Sequence, residues 1–405
     1  MPAPTGQASY DVAAVRRHFP VLSDGVAHFD GAAGTLVPDA VAQAVAAALN
    51  AGLANRGRLT DAARRADDIV LAARLAIADL LGCQPRGVVF GRSMTQLTYD
   101  MARTLARTWG PGDEIVVTRL EHDANLRPWL TVAESAGVTV RWVDFDPDST
   151  ELAPGAVAAA LTDRTRLVAV TGASNLLGTR PDLPAIAAGV HAAGAALLYI
   201  DGVHLTPHTA VDMAALGADF FTCSPYKFLG PHLGVLAAAP DLLEALRPDK
   251  LLPSPDEAPE RFELGTLPYE LLAGVTATVD FLAGLAGQDS GSRRVRLFSS
   301  MAEIERYEQG LLSRLESGLH RIGSAIRHGH AARRTPTVLF SVRGAASPDV
   351  ARALANAGVN APSGHFYAVE PARRIGLPDG AVRASIAPYT TAEDVDRLLT
   401  VIAGL

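Results

Sequence analysis

Cysteine is almost absent: the 405-residue chain has two, Cys83 and Cys223. Two thiols cannot build a disulfide framework, and they carry no metal-ligand spacing. Disulfide-stapled folds and cysteine metal sites are thereby excluded, and a reducing cytoplasm is the expected compartment. The 11 histidines contain no H-x-x-H pair. Long charge runs are missing too, and a net charge of -7 spread along the chain gives no electrostatic footprint for nucleic acid. No apolar stretch of roughly 18 residues escapes interruption by charge, Gly or Pro, which argues against a membrane span. The opening residues lack the continuous apolar core of a signal peptide. The expectation is a soluble internal protein without nucleic-acid or membrane partners. Its length suits a large α/β domain with a smaller companion, and a core that needs no staples.

What is present is organised around residues 198–236. An apolar run at 196–200 reads as a buried strand ending at Asp201. A short helical turn follows at 211–216, and a second apolar run at 219–223 leads to Lys227. Two strands of a parallel sheet then deliver an acid and an amine to one carboxyl edge, where ligands sit in doubly wound sheets. Taken singly, Asp201 reads as a strand-end turn residue and Lys227 as a solvated lysine. Their setting shifts the balance: Ser224, Pro225, Tyr226 and the Gly230, Gly234 run around Lys227 make a small and backbone-permissive surrounding that lets a ligand come close. An Asp and a Lys at such an edge are what pyridoxal phosphate needs. The amine condenses with its aldehyde, and the carboxylate holds its ring nitrogen protonated.

The surrounding pattern supports a sheet of this kind. Residues 10–28 read as a helix and turn, Pro38 starts a helix to about residue 51, and Asp61 opens a long amphipathic helix with Val70, Ala73, Ile77, Leu80 and Leu81 at core spacing. Strands at 88–90, 114–120, 138–145 and 166–171, with helices at 96–109 and 128–136, have the rhythm of right-handed crossovers in one sheet. The turn at 91–95 offers free N–H groups and a positive helix end, a seat for phosphate, although Ser and Thr cap helices everywhere. Beyond Leu236 come a Pro-rich loop at 247–260, a helix at 269–285, and a polar linker at 288–294. A long helix to about residue 319, strands at 337–342 and 382–387, and helices at 348–357 and 392–402 form a smaller α+β unit.

The central run resembles the cofactor segment of class V aminotransferase-fold enzymes, the cysteine desulfurase relatives, whose pattern is D-G-x-[QH] followed by S-x-[HY]-K. Asp201, His204, Ser224, Tyr226 and Lys227 match it, and the resemblance covers most of the chain. It implies a fold-type I pyridoxal-phosphate (PLP) transferase architecture, with a mostly parallel seven-stranded sheet in a large domain and a smaller α+β C-terminal domain. The implied division is an N-terminal segment at 1–25 packing on the small domain, a large domain at 26–286, and a small domain at 287–405. By the same resemblance Lys227 and Asp201 act on the cofactor, and His122, within E-H-D-A-N, stacks flat on its ring. Asn175, in S-N-L-L-G, donates to its phenolic oxygen. Ser93, Met94 and Thr95 correspond to the phosphate turn, where Thr95 matches the family's G-[AT]-T-E and Met94 and Gln96 depart from it, leaving backbone amides to do more. Thr266, in R-F-E-L-G-T, reaches the phosphate of a neighbouring subunit, which implies a homodimer with shared sites. Arg383, in V-R-A-S, pairs bidentately with an amino-acid carboxylate. Arg56 lies near the substrate.

The departure is at Gly364-His365-Phe366-Tyr367. Desulfurases carry a cysteine there, in G-H-H-C or a longer loop, and its thiolate takes sulfur from substrate as a persulfide. Here Tyr367 stands in that place, and Pro362 replaces the arginine that usually precedes the loop. The function implied is a PLP enzyme acting on an L-amino acid, a carbon–sulfur β-lyase on a cysteine S-conjugate, with His365 and Tyr367 lining the substrate side. Other reactions of the same site are decarboxylation-linked deamination as in lincosamide-type biosynthesis, epimerisation, kynureninase-like cleavage and true cysteine desulfuration. A non-catalytic partner protein of the same fold is the reading from another class, and the retained Asp201, Asn175, His122 and Lys227 argue against it.

Overall fold

The structure is a computed structural model that describes residues 10–287 and 290–405. A seven-stranded sheet carries the site. Its strands in chain order are β1 (Val88–Gly91), β2 (Glu114–Thr118), β3 (Thr139–Val143), β4 (Thr165–Thr171), β5 (Leu197–Asp201), β6 (Phe220–Cys223) and β7 (Gly234–Ala238). They lie in the order β1-β7-β6-β5-β4-β2-β3, parallel except for β7, which runs antiparallel to both its neighbours. The mostly parallel α/β sheet read from the sequence is therefore the observed one. Parallel strands under helices on both faces must be apolar on both sides, and alternation along β4 and β5 shows it. Val168, Val170, Leu198 and Ile200 pack into one core, whereas Leu167, Ala169 and Tyr199 pack into the other.

Register places the chemistry. Thr171 pairs with Asp201, and Asp201 with Thr222, so the carboxyl ends of β4, β5 and β6 finish level along one edge. The helix Met94–Ala106 also begins at this edge. It starts two residues before the expected Gln96 because the Ser93 side chain caps it, accepting from the Gln96 N–H at 3.1 Å. Gly234 of β7 lies directly beneath that cap: a Cβ there would stand 2.1 Å from the Ser93 carbonyl carbon and 2.4 Å from the Met94 nitrogen. Only glycine permits so close an approach.

A four-stranded antiparallel sheet forms the second layer, with β8 (Ala325–His328), β9 (Thr337–Val342), β10 (Ser363–Gly364) and β11 (Ala381–Ser385) in the order β10-β11-β9-β8. β8 and β10 have no counterpart in the sequence reading. The helix Arg293–Arg321 joins the two layers: Leu297, Met301 and Ile304 pack in the large core, and Leu311, Leu315 and Leu319 in the small one. It begins inside the polar stretch 288–294 read as a linker; Gln288 and Asp289 lie outside the described residues. Near the N-terminus the Tyr10 hydroxyl donates to the Pro388 carbonyl and Arg16 to the Tyr389 carbonyl, both at 2.8 Å. Residues Ala27–His28 pair in parallel with Val359–Asn360. Among the described residues no helix is long and apolar enough to cross a membrane.

Candidate active site

The level edge of β4, β5 and β6 and the capped start of Met94–Ala106 enclose one cavity with about 480 Å³ of empty space, partly open to solvent. Asp201 and Lys227 both line it. His122 and Asn175 enter from the loops after β2 and β4, Ser93, Met94 and Thr95 from the helix start, and His204, Ser224 and Tyr226 complete the lining. Ten residues picked from sequence patterns up to 134 positions apart thus share one wall.

Lys227 sits on a single 3-10 turn, Pro225–Lys227, whose Pro fixes the backbone immediately after β6. Its amine is buried and donates to the Ala32 carbonyl at 2.6 Å. Burial, with the nearby Arg383 charge, brings its pKa down to about 8, against the pull of Asp201 and Asp30. Asp201 is buried at the end of β5, and one carboxylate oxygen accepts from the Val203 N–H at 2.9 Å. Burial raises its carboxyl to about 6, partly offset by that N–H and by Lys227. The two groups therefore hold an acid and a base close to neutrality, as proton-transfer sites do.

The His122 Nδ1 accepts from the Ala124 N–H at 3.0 Å, which leaves the proton on Nε2. Burial and the charges of Lys227 and Arg383 push its pKa down to about 3, so the ring is neutral and planar at the cavity. The neighbouring Glu121 ties this loop to β2 and β4: Thr118 Oγ1 (2.6 Å), Thr171 N (2.9 Å) and Asn125 Nδ2 (2.7 Å) all donate to its carboxyl oxygens. Asn175 gives one amide hydrogen to the Phe366 carbonyl at 3.0 Å, and its Oδ1 is buried without a partner. His204 donates or accepts at Thr337 through Nε2, at 2.9 Å, and its Nδ1 is likewise buried and unpartnered.

Other residues picked from the sequence lie elsewhere. Arg383, on β11, is buried beside the cavity with Nη1 on the Asn175 carbonyl at 3.1 Å and Nη2 on Asp30 at 2.9 Å. Thr266 lies in a separate groove with Arg92, Gln96 and His232. Arg56 is engaged outside the cavity, pairing with Asp67 at 2.7 Å and Glu260 at 3.1 Å. Tyr367 is 70% exposed, with its ring 5.8 Å from that of His122. His365 belongs to the same turn, and its Nδ1 is buried without a partner. Sequence reasoning missed Ala32, Asp30 and Phe366. Asp30 and Ala32 belong to the turn at 30–34, which the Asp30 carbonyl closes by accepting from the Ala33 and Gly34 N–H groups.

The residues present fit pyridoxal phosphate. A planar neutral imidazole, a buried carboxylate, a buried amine and the N–H groups of a helix start ring one cavity, and two buried polar atoms in its wall await partners. Among the described residues no cluster of three or more His, Cys, Asp or Glu side chains could hold a metal ion.

Comparison with known proteins agrees with this geometry. The family described as Aminotransferase class-V matches residues 27–398. An uncharacterised protein of Mycobacterium tuberculosis is 33% identical over 98% of this chain and 100% of its own length. A cysteine desulfurase of Pectobacterium atrosepticum is 32% identical over 98% of each chain. In three dimensions, the crystal structure of an Escherichia coli cysteine desulfurase superposes with a TM-score of 0.85 over 98% of each chain, at 27% identity. Cavity, sheet order and end-to-end similarity converge: the chain belongs to the class-V aminotransferase family, as a cysteine desulfurase-like enzyme that works with pyridoxal 5'-phosphate.

Proposed function

We propose that the enzyme is a carbon–sulfur β-lyase that splits a cysteine S-conjugate and lets the sulfur leave as a free thiol. The observation that carries this reading is the state of its only two thiols. Cys223 is fully buried at the end of β6, where burial raises its thiol pKa strongly, and Cys83, half-buried just past the end of the helix Asp61–Leu81, is pushed up to about 12 by burial; neither lines the cavity. A sulfur acceptor must be an accessible thiolate. The turn that would present one carries Tyr367, whose phenol oxygen can donate or accept a hydrogen bond but cannot store sulfane sulfur.

When bound, pyridoxal phosphate supplies the electron sink for the pair left at the substrate Cα. The chain's own residues do the rest. Arg383 binds the substrate carboxylate. Lys227 Nζ, with a pKa near neutrality, takes the Cα proton and can return a proton to the departing sulfur. Asp201 holds the cofactor's ring nitrogen, His122 covers the ring face, and Ser93, Met94 and Thr95 seat the phosphate with the N–H groups of the helix start. Asn175 and His204 supply polar contacts at the ring edge; Ser224 and Tyr226 shape the wall beside Lys227. The balanced reaction takes an S-conjugate and water to pyruvate, ammonia and a thiol. His365 and Tyr367 line the substrate side, and Tyr367→Phe tests whether its oxygen matters to turnover.

We place Thr266 at the phosphate of a second subunit, which makes the enzyme a homodimer with shared sites. Scarce cysteine suits a cytoplasmic home.

A second reading, cysteine desulfuration, is favoured by the activity named for the Pectobacterium and E. coli relatives. Intact mass spectrometry after a cysteine pulse separates the two. The lyase reading expects no added sulfur on the protein, and a persulfide on Cys83 or Cys223, with activity lost when that residue is replaced, would overturn it.

A further inference from the structure

We infer that Asp30 and Phe366 form a latch on Arg383 that the substrate's carboxylate must displace. The inference rests on the proposed role of Arg383 as carboxylate clamp and adds the device that controls it. The Arg383 guanidinium is 1% exposed, and a buried charge left alone is costly, so a resident counter-ion is required when no substrate is present. Asp30 supplies it through Nη2 at 2.9 Å, and the Asn175 carbonyl holds Nη1. The guanidinium face is closed as well: the Phe366 ring centre lies 3.7 Å from its central carbon. Nε is buried and has no partner. An arriving carboxylate meets an arginine with one flank on an internal carboxylate and its face under an aromatic ring.

The two parts of the latch differ in rigidity. Asp30 is seated in a closed turn: its carbonyl accepts from the Ala33 N–H at 2.9 Å and the Gly34 N–H at 3.2 Å, and Ala32 of the same turn holds Lys227. Phe366 and Tyr367 instead have φ of 50° and 58°, in the left-handed region that bulky side chains seldom adopt. Side-chain and main-chain hydrogen bonds hold them there, from Asn175 Nδ2 to the Phe366 carbonyl at 3.0 Å and from the Asp123 N–H to the Tyr367 carbonyl at 2.8 Å. Phe366 is thus the cover that moves, and Asp30 is the fixed competitor. Substrate selection includes the ability to outbid an internal carboxylate.

The test uses the holoenzyme and glycine, which offers an amine and a carboxylate with no side chain, titrated by the change in visible absorbance. Asp30→Asn keeps the size and one acceptor but removes the competing charge, and glycine should bind about three- to tenfold more tightly. Equal or weaker binding, with a normal cofactor spectrum, overturns the latch. Arg383→Lys is the control for the underlying role. If it binds glycine as the wild type does, the clamp reading itself is wrong; if it weakens binding while Asp30→Asn gains nothing, the latch alone fails. Hydrogen exchange on the unmutated enzyme gives a second readout that needs no variant. Saturating glycine should speed exchange at the Asp123 amide as the Tyr367 carbonyl swings away, and an unchanged rate contradicts the proposal.

Discussion

Asn175 touches Phe366 and Arg383 at once: its side-chain amide donates to the Phe366 carbonyl at 3.0 Å, while its own carbonyl accepts from Arg383 at 3.1 Å. The loop after β4, the turn at 364–367 and the strand β11 are thereby locked together at the mouth of the cavity. Asn175 also lines the cavity, so a change at the turn reaches the cavity wall through one residue without crossing the core.

Removing the amine should abolish the chemistry. Lys227→Ala is expected to lower turnover by about a thousandfold or more and to eliminate borohydride-sensitive visible absorbance, because Lys227 is the amine that lines the cavity. Retained normal activity with an unchanged spectrum would mean that residues 198–236 have been misread.

Capture of the cofactor by the cofactor-free protein should depend on pH with a definite sign. Burial and Arg383 lower Lys227 to about 8, so its neutral, reactive fraction falls about tenfold for each pH unit below that value. The rate of capture, followed by absorbance, should rise from pH 6 to about 8 and then level off. Below about 6, Asp201 takes up a proton and the final occupancy should fall too. A flat profile across this range would show that the amine titrates elsewhere.

Much of this arrangement is legible in the sequence because it is local. A strand that ends in Asp201, a second that runs to Ser224, and a Pro-fixed turn to Lys227 are each encoded by contiguous apolar runs and their stops. The helix start at Ser93 shows how little a local error matters, since its boundary shifts while the cap stays in the wall. The contacts on Arg383 are another matter. Asp30 is 353 positions away and Phe366 approaches from a different turn, so no spacing rule brings them together. Strands of two residues, such as Ala27–His28 and Ser363–Gly364, are too short to show alternation. Arg56 is a similar case: its pairs with Asp67 and Glu260, the latter 204 positions away, follow from the fold and from no local pattern.

Stability offers an independent check on the segment that carries Thr266. Arg74 and Glu263 form a buried bidentate pair at 2.9 and 2.8 Å, and Glu263 also accepts from the Phe90 N–H at 2.9 Å. Arg74→Ala leaves that carboxylate buried and unpaired, and should cost about 3–5 kcal/mol in urea unfolding. A loss below about 1 kcal/mol would indicate that the pair is open to water.

Glu263 fixes the segment to its own chain, and Thr266 follows three residues later in a groove apart from the cofactor cavity. Sedimentation should accordingly find a dimer at assay concentration, and Thr266→Val should weaken cofactor retention. An active, fully loaded monomer would rule out the shared site.

The most direct measurement of the central claim is the product balance of the Cys83→Ser, Cys223→Ala double variant with a cysteine S-conjugate. β-Elimination that uses no protein thiol predicts pyruvate, ammonia and free thiol in equal amounts, at a rate within about threefold of the wild type, since conservative changes at non-reacting positions leave the barrier nearly unchanged. Alanine as the product, or activity that disappears with the two thiols, would contradict it.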